Sequence, residues 1–80
     1  NLPIEEFSLF PNPTSDIIHI INNNSLILNT TIFTITGQQI QKHTINSNSC
    51  DINISHLVNG LYIIQIETNH GNITKKIIKN

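Results

Sequence analysis

The sequence predicts an all-β chain, an antiparallel β-sandwich of about seven short strands. Three observations predict it. Apolar and polar residues alternate with period two in segment after segment, and no stretch holds a helical stripe over three turns. Isoleucine and threonine are frequent, and branching at Cβ stiffens χ1 and suits a pleated surface. Turn signals built on Asn, Gly and Pro recur at roughly the 8–12-residue spacing of a sandwich. A single sheet of this length leaves an apolar face wet, whereas two packed antiparallel sheets hide it.

Each element follows from its residues. Phe7 and Leu9 alternate in EEFSLF, the first strand. Pro11-Asn12-Pro13 ends it, because proline donates no ladder hydrogen bond, and Thr14-Ser15-Asp16 completes a turn. In IIHII, Ile18 and Ile20 share one face, with Ile17, His19 and Ile21 on the other. Asn22 to Ser25 is a loop. Leu28, Thr30 and Ile32 then alternate, but Phe33 and Ile35 put apolar groups on the opposite face, so this strand is expected to be covered on both sides or bulged.

Gly37 breaks that strand as a turn glycine. QQIQKHTI is a polar, edge-side strand, and Asn46 to Ser49 a loop. Cys50, Ile52 and Ile54 share one face of the next strand, which makes Cys50 a small buried apolar group. Asn59-Gly60 is a turn signal. In LYIIQIE, Tyr62, Ile64 and Ile66 share a face, and Asn69-His70-Gly71 joins this strand to NITKKIIK.

Size and charge narrow the function. Eighty residues make one domain, residues 1–80, which buries about 60% of its unfolded surface and has no room for a deep catalytic cleft. The chain does not begin with Met, carries no cationic-then-apolar leader, and is read as a piece excised from a longer protein. With a net charge of −1, no arginine and few aromatics, nucleic acid is not an expected partner. No apolar run reaches the roughly 20 residues that span a bilayer as a helix.

The residue types capable of chemistry do not form a site. His19, His43, His56 and His70 lie in four separate segments without ligand spacing, so no metal and no cofactor is expected. Cys50 is the single cysteine, which excludes an internal disulfide. Nothing near it in sequence would lower the thiol pKa, so it is not read as a nucleophile. Glu5, Glu6, Asp16, Asp51 and Glu67 are too scattered to suggest a carboxylate pair. The Asn-x-Ser/Thr triplets at Asn23, Asn29, Asn53 and Asn72 are expected of a chain this rich in Asn and Thr. An enzyme is not expected.

Three segments together carry a resemblance. They are LFPNPTSD at residues 9–16, TIFTITGQQI at 31–40, and DINISHLVNGLYIIQIETNHGNITKKIIKN at 51–80. In order and spacing they resemble the C-terminal sorting domain of the type IX (Por) secretion system of Bacteroidota. That resemblance implies a small immunoglobulin-like β-sandwich at the end of a secreted protein, without catalytic residues. It implies transit through the periplasm, then recognition by an outer-membrane translocon and its shuttle protein. Removal by a sortase-like C-terminal signal peptidase would then leave the N-terminal cargo secreted or on the cell surface.

By motif, the recognition positions are Pro11, Asn12 and Pro13, then Gly37, then Gly60 and Tyr62, then Lys75, Lys76, Ile77 and Ile78. Val58 stands where the family often has proline, and Asp16 where it often has glycine.

Each position has a purely structural reading beside the functional one. Pro11-Asn12-Pro13 ends a strand and protects an edge. Gly37 and Gly60 meet backbone needs. Tyr62 fills the core with its hydroxyl near the rim. Lys75 and Lys76 keep an apolar edge strand from pairing with strangers. An alternative function, a carbohydrate-binding or adhesive accessory module of an extracellular enzyme, suits the same fold. Against it, the chain lacks tryptophan and has one tyrosine for stacking on sugars.

Overall fold

The computed structural model describes residues 7–10, 16–23 and 25–80. Pro11, Asn12 and Pro13 lie outside the described residues. Among the described residues seven strands form: β1 (Phe7–Phe10), β2 (Ile17–Asn22), β3 (Ile27–Thr34), β4 (Gln39–Ser47), β5 (Ser49–Asn53), β6 (Gly60–Thr68) and β7 (Gly71–Lys79). No helix occurs among the described residues. Every pairing is antiparallel. One sheet has the order β1-β2-β5 and the other β4-β3-β6-β7.

This is the sandwich the alternation predicts, with an immunoglobulin-like strand order. In the constant-type immunoglobulin arrangement the fourth strand joins the first, second and fifth. Here β4 stays with β3, because the turn between them is short enough to close a hairpin. Its cap is local. The Gly37 amide donates to the Thr34 carbonyl at 2.9 Å, and the Thr34 amide to the Gln38 carbonyl at 2.9 Å. Gly37 has φ +99°, a region that costs a residue with a Cβ.

One apolar cluster joins both sheets. Ile18, Ile20, Ile52 and Ile54 from the first side meet Ile27, Ile32, Tyr62, Ile64, Ile66 and Ile77 from the second. Nine of these ten buried residues are isoleucine, each contributing about 1.5–3 kcal/mol by leaving water. The faces read from β2 and β6 hold: Ile18 and Ile20 are inside, as are Tyr62, Ile64 and Ile66. Ile17 lies outside, and His19 is half-buried on the outer face.

Three expectations are corrected. In β3 the core residue is Ile27, not Leu28. Ile27 pairs with Thr68 and Asn29 with Glu67, so Leu28 is an extra residue that shifts the parity of the strand. The expected bulge is thus present, and β3 is also the one strand buried at three consecutive residues, Thr30, Thr31 and Ile32. The loop placed at Asn46 to Ser49 shrinks to Asn48. Asn46 takes φ +58°, which absorbs an irregularity within β4 and lets pairing continue to Ser47. Cys50 does face the core side opposite Ile20, but β5 is an edge strand, so the thiol is only half-buried.

Candidate functional site

The register of β6 against β7 decides where the C-terminal motif points. Gly60 pairs with Lys79, Leu61 with Ile78, Tyr62 with Ile77, Ile63 with Lys76 and Ile64 with Lys75. Strand alternation therefore splits KKIIK between two faces. Ile77 and Lys79 turn inward beside Tyr62, Ile77 fully buried. Lys75 lies on the inner side too, opposite buried Ile64, but at the sheet edge, where it is exposed. An inward-leaning charge on an edge strand blocks the pairing of a further chain. Lys76 and Ile78 face outward.

Lys79 is held rather than displayed. It is 8% exposed, and its Nζ donates to Asn59 Oδ1 at 3.4 Å and to the Asn80 carbonyl at 3.3 Å. These bonds clasp the end of β7 to the turn that begins β6. Tyr62 closes the same corner from inside. Its ring is in the core, and its hydroxyl donates to the Val58 carbonyl at 2.6 Å. A tyrosine near the start of the sixth strand, bonded to backbone a few residues upstream, is the tyrosine corner of immunoglobulin-like sandwiches. Val58 itself is exposed, so a valine in the position where family members often carry proline disturbs no packing.

Gly60 takes φ +154°, and a Cβ built on either Gly60 or Gly37 would meet no atom within 4 Å. Both glycines answer to backbone conformation rather than to crowding.

Among the described residues, three motif groups meet at one end of the four-stranded sheet: Gly37, Gly60 with Tyr62, and the β7 motif. Thr34, the last residue of β3, pairs with Tyr62, so the Gly37 turn lies at the end where β6 begins and β7 finishes. The segment from β5 to β6 crosses between the sheets there. The Ile54 amide donates to the Asp16 carbonyl at 2.7 Å, tying the residue just after PNPTS to this crossing. Gln41 of β4 adds a second tie: its Nε2 donates to the Asn53 carbonyl at 3.5 Å, and its Oε1 accepts from His56 Nε2 at 2.9 Å. The structure thus brings Gly37, Gly60, Tyr62, Ile77 and Ile78 together, with Lys76 and Lys75 one and two residues back along β7 from Ile77.

Three of the four histidines fall into two settings. His19 Nδ1 and Asp51 Oδ1 are 2.7 Å apart on the outer face of the three-stranded sheet, with the Phe10 ring 5.5 Å from that of His19. His43 and His56 flank Gln41, whose amide nitrogen donates to His43 Nε2 at 3.1 Å. Sequence spacing gave no hint of this meeting, since β4 belongs to the β3–β4 hairpin and the β5–β6 segment crosses between the sheets. No group of three His, Cys, Asp or Glu that would hold a metal occurs among the described residues. Burial, and secondarily the neighbouring Asp51 carboxylate, push the Cys50 thiol pKa up, away from a reactive thiolate.

All four lysines lie on the four-stranded sheet, Lys42 on β4 and the rest on β7, with Glu67 as its one acid. The sequence reading named Ile78 but missed the other apolar residues beside Lys76, which are Leu61, Phe33 and Ile63. Leu61 and Ile78 are 42% and 45% exposed on the outer face, next to half-buried Phe33 and Ile63. Their signal was available, since apolar residues occupy both parities of β6.

No curated protein matches the sequence. Residues 8–80 match the family model of the secretion system C-terminal sorting domain. The match spans every strand but the first residue of β1 and includes all the motif positions that meet at this end. The chain belongs to the secretion system C-terminal sorting domain family, whose domains are the sorting signals of type IX secretion.

Proposed function

We propose that residues 1–80 act as a non-catalytic export signal, a folded domain that directs an N-terminal cargo across the outer membrane. The family match over nearly the whole sandwich carries this reading. The cargo reaches the periplasm, the outer-membrane translocon and its shuttle protein engage the domain, and a sortase-like peptidase removes it. The cargo is then released or kept at the surface.

Within this reading the recognition positions take two roles. Lys75, Lys76 and Ile78 are exposed and make contact. Gly37, Gly60, Tyr62 and Ile77 act through the fold, by setting the turns and seating β7. Pro11, Asn12 and Pro13, between β1 and β2 in the sequence, belong to the same recognition set. The adhesive alternative draws little support from the surface. Tyr62 is buried, and Phe10 is the one strongly exposed aromatic among the described residues.

The test fuses residues 1–80 behind a periplasmic signal peptide and a fluorescent protein in a type IX-competent bacterium. Fluorescence is expected at the surface or in the medium, with the fusion shortened by loss of the domain. A fusion that stays full-length in the periplasm, while a known sorting domain exports the same reporter, overturns the proposal.

A further inference from the structure

We propose that the outer face of the four-stranded sheet, in the half toward the Gly37 turn, is the contact surface of this sorting domain, and that its partner is a protein surface with carboxylates around an apolar centre. This rests on the export reading and names the face and chemistry that serve it.

A solvated sheet face should read polar. On this face the half toward Asn29, Thr44, Glu67 and Asn72 does. The half toward the Gly37 turn does not. Phe33 pairs with Ile63, Ile63 with Lys76, and Leu61 with Ile78, so the register sets these residues side by side. Ile35, 61% exposed, follows in the adjoining turn. A contiguous apolar patch rimmed by polar groups marks an interaction site more often than scattered exposed side chains do.

Charge selects the occupant. Lys76 borders the patch, and Lys42 lies one row away on the same face, opposite Thr31. The face's acid, Glu67, lies at the far end, where its Oε1 accepts a 2.7 Å hydrogen bond from Asn29 Nδ2. A two-fold pairing of this face with itself would set a lysine-bearing patch against another lysine-bearing patch, which disfavours a second copy. An anionic bilayer gains about 1 kcal/mol per surface lysine, and two lysines with a flat patch of short branched side chains give weak adsorption. A protein surface that supplies carboxylates to the lysines and an apolar centre to Leu61 and Ile78 satisfies both features at once.

The experiment uses the reporter fusion carrying the full chain. Leu61→Thr with Ile78→Thr keeps strand-forming residues at exposed positions and is expected to lower export at least ten-fold with little change in Tm. Lys76→Glu is expected to lower it about as much, and Lys76→Arg to leave it intact. Ile17→Thr on the outer face of the other sheet serves as the control, with export unchanged. If the unsubstituted fusion is not exported, the sorting reading itself fails. If it is exported and both the Leu61/Ile78 and Lys76→Glu variants follow it, this surface fails alone.

Should the double variant lose Tm, the single Lys76→Glu change decides. Co-sedimentation of the purified fusion with phosphatidylglycerol vesicles, abolished by Lys76→Glu, would overturn the protein partner in favour of lipid. Concentration-dependent self-association abolished by the same change would overturn it in favour of a second copy.

Discussion

The Tyr62 hydroxyl donates to the Val58 carbonyl at 2.6 Å, across the corner where the chain passes from the three-stranded to the four-stranded sheet. The ring on the other side of that hydroxyl belongs to the apolar core, opposite Ile77 of β7. One side chain thus joins the crossing segment to the strand that seats β7. Tyr62→Phe keeps the ring and removes the bond. Because Val58 is exposed, its carbonyl turns to water, so the cost is the net hydrogen bond alone, about 1 kcal/mol. For a domain of this size that is a Tm drop of about 4–8 °C, read by calorimetry.

Thr30 sits at the centre of β3 with no exposed surface, between His43 on β4 and Ile66 on β6. Among the described residues its hydroxyl is the buried side-chain polar atom without a hydrogen-bond partner. A buried unsatisfied group costs about 1–3 kcal/mol, and valine has the same shape without that demand. Thr30→Val is therefore expected to stabilise the sandwich by about 1 kcal/mol or more. Chemical denaturation should show a higher midpoint at unchanged slope.

How much of this was legible in the sequence depended on whether a residue's fate was set by alternation or by its neighbours. Alternation alone placed Ile18 and Ile20 on β2 and Tyr62, Ile64 and Ile66 on β6, because those strands run without interruption. It misplaced Leu28, since an extra residue inverts parity with no mark of its own in the letters. It overrated the burial of Cys50, because a face is only as buried as its strand is central, and pairing order is not written in one strand. The linear motif KKII, Lys75 to Ile78, suggested a single recognition unit. The register divides it, and the contact face needs Leu61, Ile63 and Phe33 from two other strands.

Cys50 offers a check on its surroundings. Its thiol pKa is raised above the ordinary value of 9.0, first by burial and then by Asp51. The native state therefore holds the thiol proton to higher pH than the unfolded chain does. Stability from this group is unaffected below the unfolded value and declines as pH rises past 9.0, where the unfolded state ionises first. Alkylation of the folded protein by iodoacetamide at pH 8 should run several-fold slower than that of the urea-unfolded chain. Asp51→Asn, which removes the lesser cause, should narrow the difference without closing it. Equal rates in the folded and unfolded states would contradict the placement of Cys50 on the core side of β5.

Ile77 and Ile78 are adjacent in sequence and opposite in fate, which makes them the sharpest probe of the divided motif. Ile77 is fully buried against Tyr62, whereas Ile78 is exposed beside Leu61. Truncating a core isoleucine to alanine costs about 2–5 kcal/mol, because the transfer energy and an unfilled cavity add. Against a total stability of about 5–15 kcal/mol, Ile77→Ala should unfold an appreciable fraction of the domain at physiological temperature. Ile78→Ala, at the surface, should cost well under 1 kcal/mol beyond the weaker strand propensity of alanine. In the reporter fusion both changes reduce export under the proposed function, but by different routes. The Ile77 variant should regain export at lower growth temperature or with a stabilising Thr30→Val change. The Ile78 variant should not, because its defect lies in contact rather than in folding. Rescue of both by added stability would reduce the whole C-terminal motif to a structural element.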